Sequence, residues 1–431
     1  MRAPRVWFGI LTLLSSSALV ACGGGVRPEV RAALTGTLPE LKQEIAKAEK
    51  TAPLSDARLN ELAHAVAERE IAGAAGADGA EQIALFRPCL SELQDALDER
   101  AARGDEVAAV ATLLLFEAGK RNANDLVSRY SEADSGAFRS LAARAALSPS
   151  QAELRRRFFT DPDERVRRSA FEAAVKSPSS ALLPDLLEAA RLDPSPSNRA
   201  RAAQAVGRIG SEPAVLSLSD LFSSGDEQQK LAVLDAWSES PSFHRGGERE
   251  LARVLTGRAG DSGLVPVSAA TLLLRSRDSH AAAVAVLARA ITDGSDDEKR
   301  LAVMSAPLSD PSIQKALEKA STSPSPEVTP LVLARLAELP RSAGKARAAL
   351  EKLAADKGDS GLEASYTLAR LGSPSAAARL ERELSSERAS RRLRAAVTLA
   401  GLGKKQHLAS TLADQDPLVR ATLACRLSEA P

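Results

Sequence analysis

The strongest constraint on this 431-residue chain is that it repeats itself. A period of roughly 20–50 residues fixes the architecture before any single motif does. The clearest copy is 181–210, ALLPDLLEAARLDPSPSNRARAAQAVGRIG. Leu182, Leu183, Leu186, Leu187 and Ala190 share one helical face. Asp193-Pro194 then stops the helix, because proline disfavours helical geometry in the residue before it. Ser197 is placed to cap a second helix whose apolar stripe is Ala202, Ala203, Val206 and Ile209. Gly207 lets a neighbouring helix approach closely, and Gly210 ends the unit.

The phrase returns along the chain. Asp161-Pro162 precedes Arg167 and Ala170 just as Asp193-Pro194 precedes Arg199 and Ala202, at an offset of 32. Asp416-Pro417 precedes Val419-Arg420, and Lys230–Val233 reappears as Arg300–Val303, 70 residues on. Val284, Leu287, Ala288 and Ile291 fall at i, i+3, i+4 and i+7, a first-helix face. One helix pair cannot bury such a stripe alone; stacking the next pair does so. Plentiful alanine lets helices pack closely, so a continuous core is compatible with only 3% aromatic residues. Strand patterns with intervening turn signals are nearly absent.

Composition narrows the function. Lys+Arg 57 against Asp+Glu 56 gives a net charge of +1, which argues against a nucleic-acid binder. Few aromatics argue against stacking platforms for bases or sugars. The histidines His64, His244, His280 and His407 show no metal-ligand spacing, and phosphate-loop and nucleophile-elbow motifs are missing. His244 lies in a loop of unusual length, Ser240 to Gly247, and reads as a solvated side chain. No cofactor, metal site, small-molecule substrate or catalytic residue is expected, so the chain reads as a non-enzyme. Acidic clusters such as Asp296-Asp297-Glu298 read as complements to helix dipoles. Short basic runs beside acids, such as Arg155–Arg157, read as a solvated mixed-charge face.

The repeated phrase resembles the HEAT repeat family, particularly its short, alanine-rich variants. Pro184, Asp193, Arg199 and Ala202 occupy the family positions in the best copy. The expected fold is an all-α solenoid, a superhelix of about eleven antiparallel helix pairs over residues 81–428, preceded by an N-terminal helical cap over 29–80. The resemblance implies a structural ladder in which arginines such as Arg167, Arg199 and Arg420 meet turn aspartates such as Asp161 and Asp193. It also implies a concave face of second helices that binds a partner, with Gln204, Arg208 and Arg370 among the positions facing it. Some HEAT-like proteins resemble bilin lyases, and a cofactor-handling role is the alternative. A purely structural envelope spacer is another. Paired His-Glu iron ligands of HEAT-like hydroxylases are missing from the sequence.

The N-terminus reads as an address. Arg2 and Arg5 precede a short apolar run, Val6 to Val20, so residues 1–21 read as a signal peptide too short to span a bilayer comfortably. Leu19-Val20-Ala21-Cys22 resembles the lipobox of bacterial lipoproteins. That resemblance implies cleavage before Cys22, a diacylglyceryl and palmitate-type lipid anchor on it, and residues 22–28 as lipidated tether. Several acyl chains at about 0.8 kcal/mol per buried CH₂ give stable anchoring. Gly23 in place of Asp leans toward the outer membrane. The expected protein is therefore an envelope scaffold with a protein partner, attached to a membrane. Cys89 and Cys425 remain as thiols near opposite ends of the chain. In an elongated fold they cannot meet, since a disulfide needs Cα atoms closer than about 7 Å. Both are expected as buried helix residues, with intermolecular pairing as the lesser alternative.

Overall fold

The computed structural model describes residues 26–238, 248, 251–252, 255, 263–322, 325–356 and 358–428. The expected leader, Cys22 with most of its tether, and the loop from Ser240 to Gly247 with His244 lie outside the described residues.

Helix starts follow local chemistry. The Asp-Pro and Ser-Pro pairs that punctuate the sequence recur as helix N-termini: Asp310-Pro311, Ser373-Pro374 and Asp416-Pro417. Proline at the first helical position gives up no hydrogen bond, and the preceding side chain caps the free N–H groups. Asp310 accepts from the Ser312 N–H at 2.8 Å and Asp416 from the Leu418 N–H at 2.9 Å. In the best copy the second helix begins two residues earlier than expected. Ser195 rather than Ser197 stands at its N-cap, because Pro196 already fixes helical φ. Gly210 closes that helix at φ +63°, where a Cβ would be strained.

Two helices open the described chain: α1 (Pro28–Thr35) and α2 (Leu38–Thr51). Pairs follow: α3 (Asp56–Gly73) with α4 (Gly76–Ala84), α5 (Gln94–Ala101) with α6 (Glu106–Glu117), and α7 (Ala123–Tyr130) with α8 (Gly136–Ala145). Next come α9 (Ala152–Phe159) with α10 (Glu164–Lys176), α11 (Leu183–Leu192) with α12 (Pro196–Ile209), and α13 (Glu212–Ser224) with α14 (Glu227–Ser238). After the undescribed stretch lie α15 (Leu264–Leu273), then α16 (His280–Asp293) with α17 (Asp296–Ser305) and α18 (Pro311–Ala320) with α19 (Val328–Ala337). The last are α20 (Ala343–Ala354) with α21 (Asp359–Arg370), α22 (Pro374–Glu383) with α23 (Ala389–Gly401), and a 3-10 segment, Ala409–Ala413, with α24 (Pro417–Ser428). Among the described residues there is no strand.

The architecture is an all-α solenoid, as the periodicity predicts, and its two ends meet. Second helices pack in an unbroken row from α4 through α6, α8, α10, α12, α14, α15, α17, α19, α21 and α23 to α24, and α24 then touches α4. The row is a ring. From α8 to α14 the second helices lie closely along one another while the first helices between them spread apart, which puts the second helices on the inner side. Twelve helices at an ordinary spacing of 8–10 Å make a regular ring roughly 35 Å across between axes, too wide for side chains to fill.

Closure revises the expectation for residues 29–80. These helices do not end the array as a free terminal cap. Helix α3 lies along α24, α1 packs on α3, and α2 packs on Ala409–Ala413, so the N-terminal hairpin straps the junction from outside. The expectation for the cysteines is corrected outright. Cys89 and Cys425 are joined in a disulfide with Cα atoms 5.5 Å apart and 336 residues between them. Both are buried, but Cys89 sits at a kink (φ −118°, ψ 32°) in the 3-10 segment Arg87–Glu92 and not in an α-helix. The premise of an elongated row fails, because curvature accumulated over the whole array returns the last unit to the first.

Candidate interaction surface

Three features of the ring are candidates for function: the arginine rungs between units, the inner face of second helices, and the junction where the ring closes.

The rungs share one design. An arginine in the first turns of a second helix donates one Nη to carbonyls of its own preceding turn and points its other edge at the next unit. Arg167 donates Nη1 to the Asp161 carbonyl at 2.8 Å and Nε to Asp193 Oδ2 at 2.8 Å. Asp193 in turn accepts the Ser195 N–H at 2.9 Å, which shapes the turn. Asp161 makes the same use of the Asp163 N–H and receives Arg139, at 2.9 Å from both Nε and Nη2. Arg392 meets Asp414 at 2.6 and 2.8 Å. Burial pushes the Asp414 carboxyl up, but the Arg392 guanidinium outweighs it and holds the group below the usual carboxylate range. Arg199 departs from the pattern: it reaches Gln228 Oε1 at 3.1 Å and the Asp193 carbonyl at 2.9 Å, with no carboxylate partner among the described residues.

Arg420 makes the rung that closes the ring. Its Nη1 donates to the Asp414 and Gln415 carbonyls, as in other units. Its Nε and Nη2 meet Glu70 at 2.7 and 3.0 Å, across 350 residues of sequence. Gln82 of α4 also donates to Glu70. All three side chains are buried. Sequence reasoning placed Arg420 in the ladder but could not supply Glu70 or Gln82, because neither belongs to an Asp-Pro turn. Arg139 and Arg392 were also missed; each stands six residues after a turn and could have been found by that spacing.

The inner face carries charges that join neighbouring second helices. Arg144 of α8 bridges Glu117 of α6, at 2.9 Å, and Glu172 of α10. Burial raises Glu117, yet Arg87 and Arg144 together bring it below its usual value. Gln204 of α12 donates to Asp235 of α14, and Arg300 of α17 reaches Glu327 at 3.2 Å. Arg394 of α23 pairs with Glu363 of α21 and lies over the Tyr366 ring, 4.3 Å from its centroid. Burial lowers the Arg394 guanidinium and raises the Tyr366 hydroxyl. Paired groups of both signs thus link neighbouring second helices at these positions. Arg370 is exposed at the end of α21.

A cleft of about 340 Å³ opens on the Asp-Pro turns between Phe159, Asp161, Arg167, Leu192 and Asp193. The ladder residues form part of its wall, and Asp161, Arg167 and Asp193 are already partnered there. Among the described residues no three His, Cys, Asp or Glu side chains group as a metal site, and no helix is long and apolar enough to cross a membrane.

Comparison with known proteins fits this geometry. The HEAT repeat family model matches residues 151–236, the stretch holding the rungs of Arg167 and Arg199. No curated protein matches the chain. Thirty-one chains of solved structures do. One of these is the crystal structure of an engineered protein, 19% identical, aligned over 80% of this chain and 98% of its own, with a TM-score of 0.32; so low a score carries no argument about shape. Residues 151–236 are HEAT-like repeats, and the array they belong to is the one that closes into a ring.

Proposed function

We propose that the protein is a non-catalytic binding scaffold of the cell envelope, lipid-anchored through Cys22 and engaging a protein partner through the inner face of its ring. The observation that carries the binding role is the closed row of second helices. It turns a repeat surface into an enclosed wall whose charges are held in place by cross-unit pairs. Fixed polar groups bind without the entropic loss of ordering them at the moment of contact.

The anchor rests on the sequence Leu19-Val20-Ala21-Cys22 and the leader before it. The Cys89–Cys425 disulfide supports the same placement, because such bonds persist in oxidising compartments and are rare in the cytosol. Gly23 favours the outer membrane.

Photo-crosslinking amino acids at Arg168, Arg201 and Arg370 on second helices, and at Arg191 and Leu216 on first helices, test the binding face in the native cell. The inner positions are expected to give one discrete product and the outer ones none. Products from the outer positions alone would overturn the reading. For the anchor, the mature protein should begin at a lipid-modified Cys22 by mass spectrometry, and Cys22→Ser should abolish membrane partitioning. Retention of the variant in the membrane fraction would contradict it.

A further inference from the structure

The ring has one junction across which no peptide bond runs. Every other unit is joined to the next by the chain itself, whereas α24 meets α3 and α4 through noncovalent contacts, with Cys89–Cys425 as the covalent link at the junction among the described residues. We propose that this disulfide is a redox clasp: oxidised, it makes the ring covalently continuous; reduced, it leaves a seam that opens while the rest of the array stays folded.

Three observations and one general property of repeat arrays support a seam distinct from the body. The helices change relation there. Inside the array second helices run side by side, so Glu164 at the start of α10 meets Ser195 at the start of α12, at 2.9 Å. At the seam α24 runs against α3: Arg420 near the start of α24 meets Glu70 near the end of α3, and Asn60 near the start of α3 faces the Leu427 carbonyl at 2.7 Å. The α1–α2 strap, which packs on α3 and on Ala409–Ala413, covers the junction and belongs to no repeat pair of the row. Cys89 and Cys425 are 2% and 3% exposed, so a thiolate reaches the bond only when the seam parts. Repeat arrays hold together by nearest-neighbour contacts, so loss of one contact leaves the other units stacked.

The chemistry is an ordinary exchange. A dithiol gives two electrons and two protons to the Cys89–Cys425 bond; two cysteine thiols form, and the dithiol becomes a disulfide. The reverse, with a disulfide of an oxidising compartment as acceptor, closes the clasp. The functional consequence, admission or release of a partner held by the inner face, rests on the scaffold reading. The opening itself does not, and it is measured on the isolated protein.

Hydrogen exchange of the mature protein, oxidised and as the Cys89→Ser, Cys425→Ser double variant, reads the seam directly. Amides of 56–73 and 417–428 should exchange at least about tenfold faster in the variant, while those of 164–176 and 196–209 keep their rates. Equal rates at the seam would show that the bond does not hold it. Equal acceleration everywhere would make the bond a staple of the whole fold and overturn the clasp. If the variant does not fold, reduction of the native protein decides. The rate should level off with rising dithiothreitol, set by seam opening; a rate that rises in proportion throughout would show directly reachable sulfurs and contradict the proposal.

Discussion

The junction between α10 and α12 and the junction between α24 and α3 use one side chain chemistry in two geometries. Inside the array, Arg167 reaches an aspartate in the turn between α11 and α12 of the next unit, and the chain itself links the two units. At the seam there is no next turn. Arg420 keeps its grip on its own turn carbonyls but finds Glu70 on the flank of a helix, with Gln82 holding the second partner. The antiparallel approach brings Cys425 to Cys89, and the disulfide supplies the covalent link that the running chain supplies between units elsewhere. Closure is therefore not one more copy of the repeat. It is a separate device that satisfies the two faces an open array would expose, which in other repeat proteins need polar caps.

Substitutions can break this comparison. The largest effect is expected from Arg420→Ala, which strands the Glu70 carboxylate in a buried site. Breaking one side of such a pair costs about 3–5 kcal/mol. Hydrogen exchange should place the loss in 56–73 and 417–428. Arg167→Ala leaves Asp193, whose side chain is only 2% exposed, with its turn N–H alone. A loss of about 2–3 kcal/mol is expected, felt in the units on both sides of the rung. If Arg167→Ala loosened the seam as much as Arg420→Ala does, the two junctions would not be independent.

Acid sharpens the contrast within the closing unit. The folded Asp414 carboxyl titrates below its ordinary value of 3.8, so its pairing with Arg392 stabilises the protein fully above that value. The contribution is lost as pH falls through the lower, folded value. Exchange in 389–428 should accelerate below about pH 3.8. Replacing Asp414 with Asn should leave a smaller further effect of acid there. The smallest effect belongs to surface pairs: Arg157 and Glu132 are 57% and 71% exposed, and Arg157→Ala should change stability by less than about 1 kcal/mol.

What was legible in the sequence was what recurs. The period, the leucine faces and the Asp-Pro turns are local patterns, and they place the helices from 150 onward. Leu182, Leu186 and Ala190 are buried as their spacing predicts. The glycine-rich stretch Gly73–Gly79 has the composition of a loop and is nevertheless mostly helix, with α4 starting at Gly76 at φ +66°, a conformation glycine adopts readily. The seam was illegible for a physical reason: it breaks the period. Glu70 carries no turn signal, Cys89 lies in a kinked segment, and the sum of small rotations between units cannot be read from any one of them. An account that allows for curvature only as an elongated superhelix keeps two cysteines apart that the ring brings together.

The central claim is that the array closes on itself. The direct measurement is the distance between two labels attached by non-cysteine chemistry at Ala57 on α3 and Arg426 on α24, in the oxidised mature protein. Adjacent helices predict a single narrow distribution near roughly 20 Å, label linkers included. An open row of twelve units would set the labels on the order of 100 Å apart, and that result would contradict the ring.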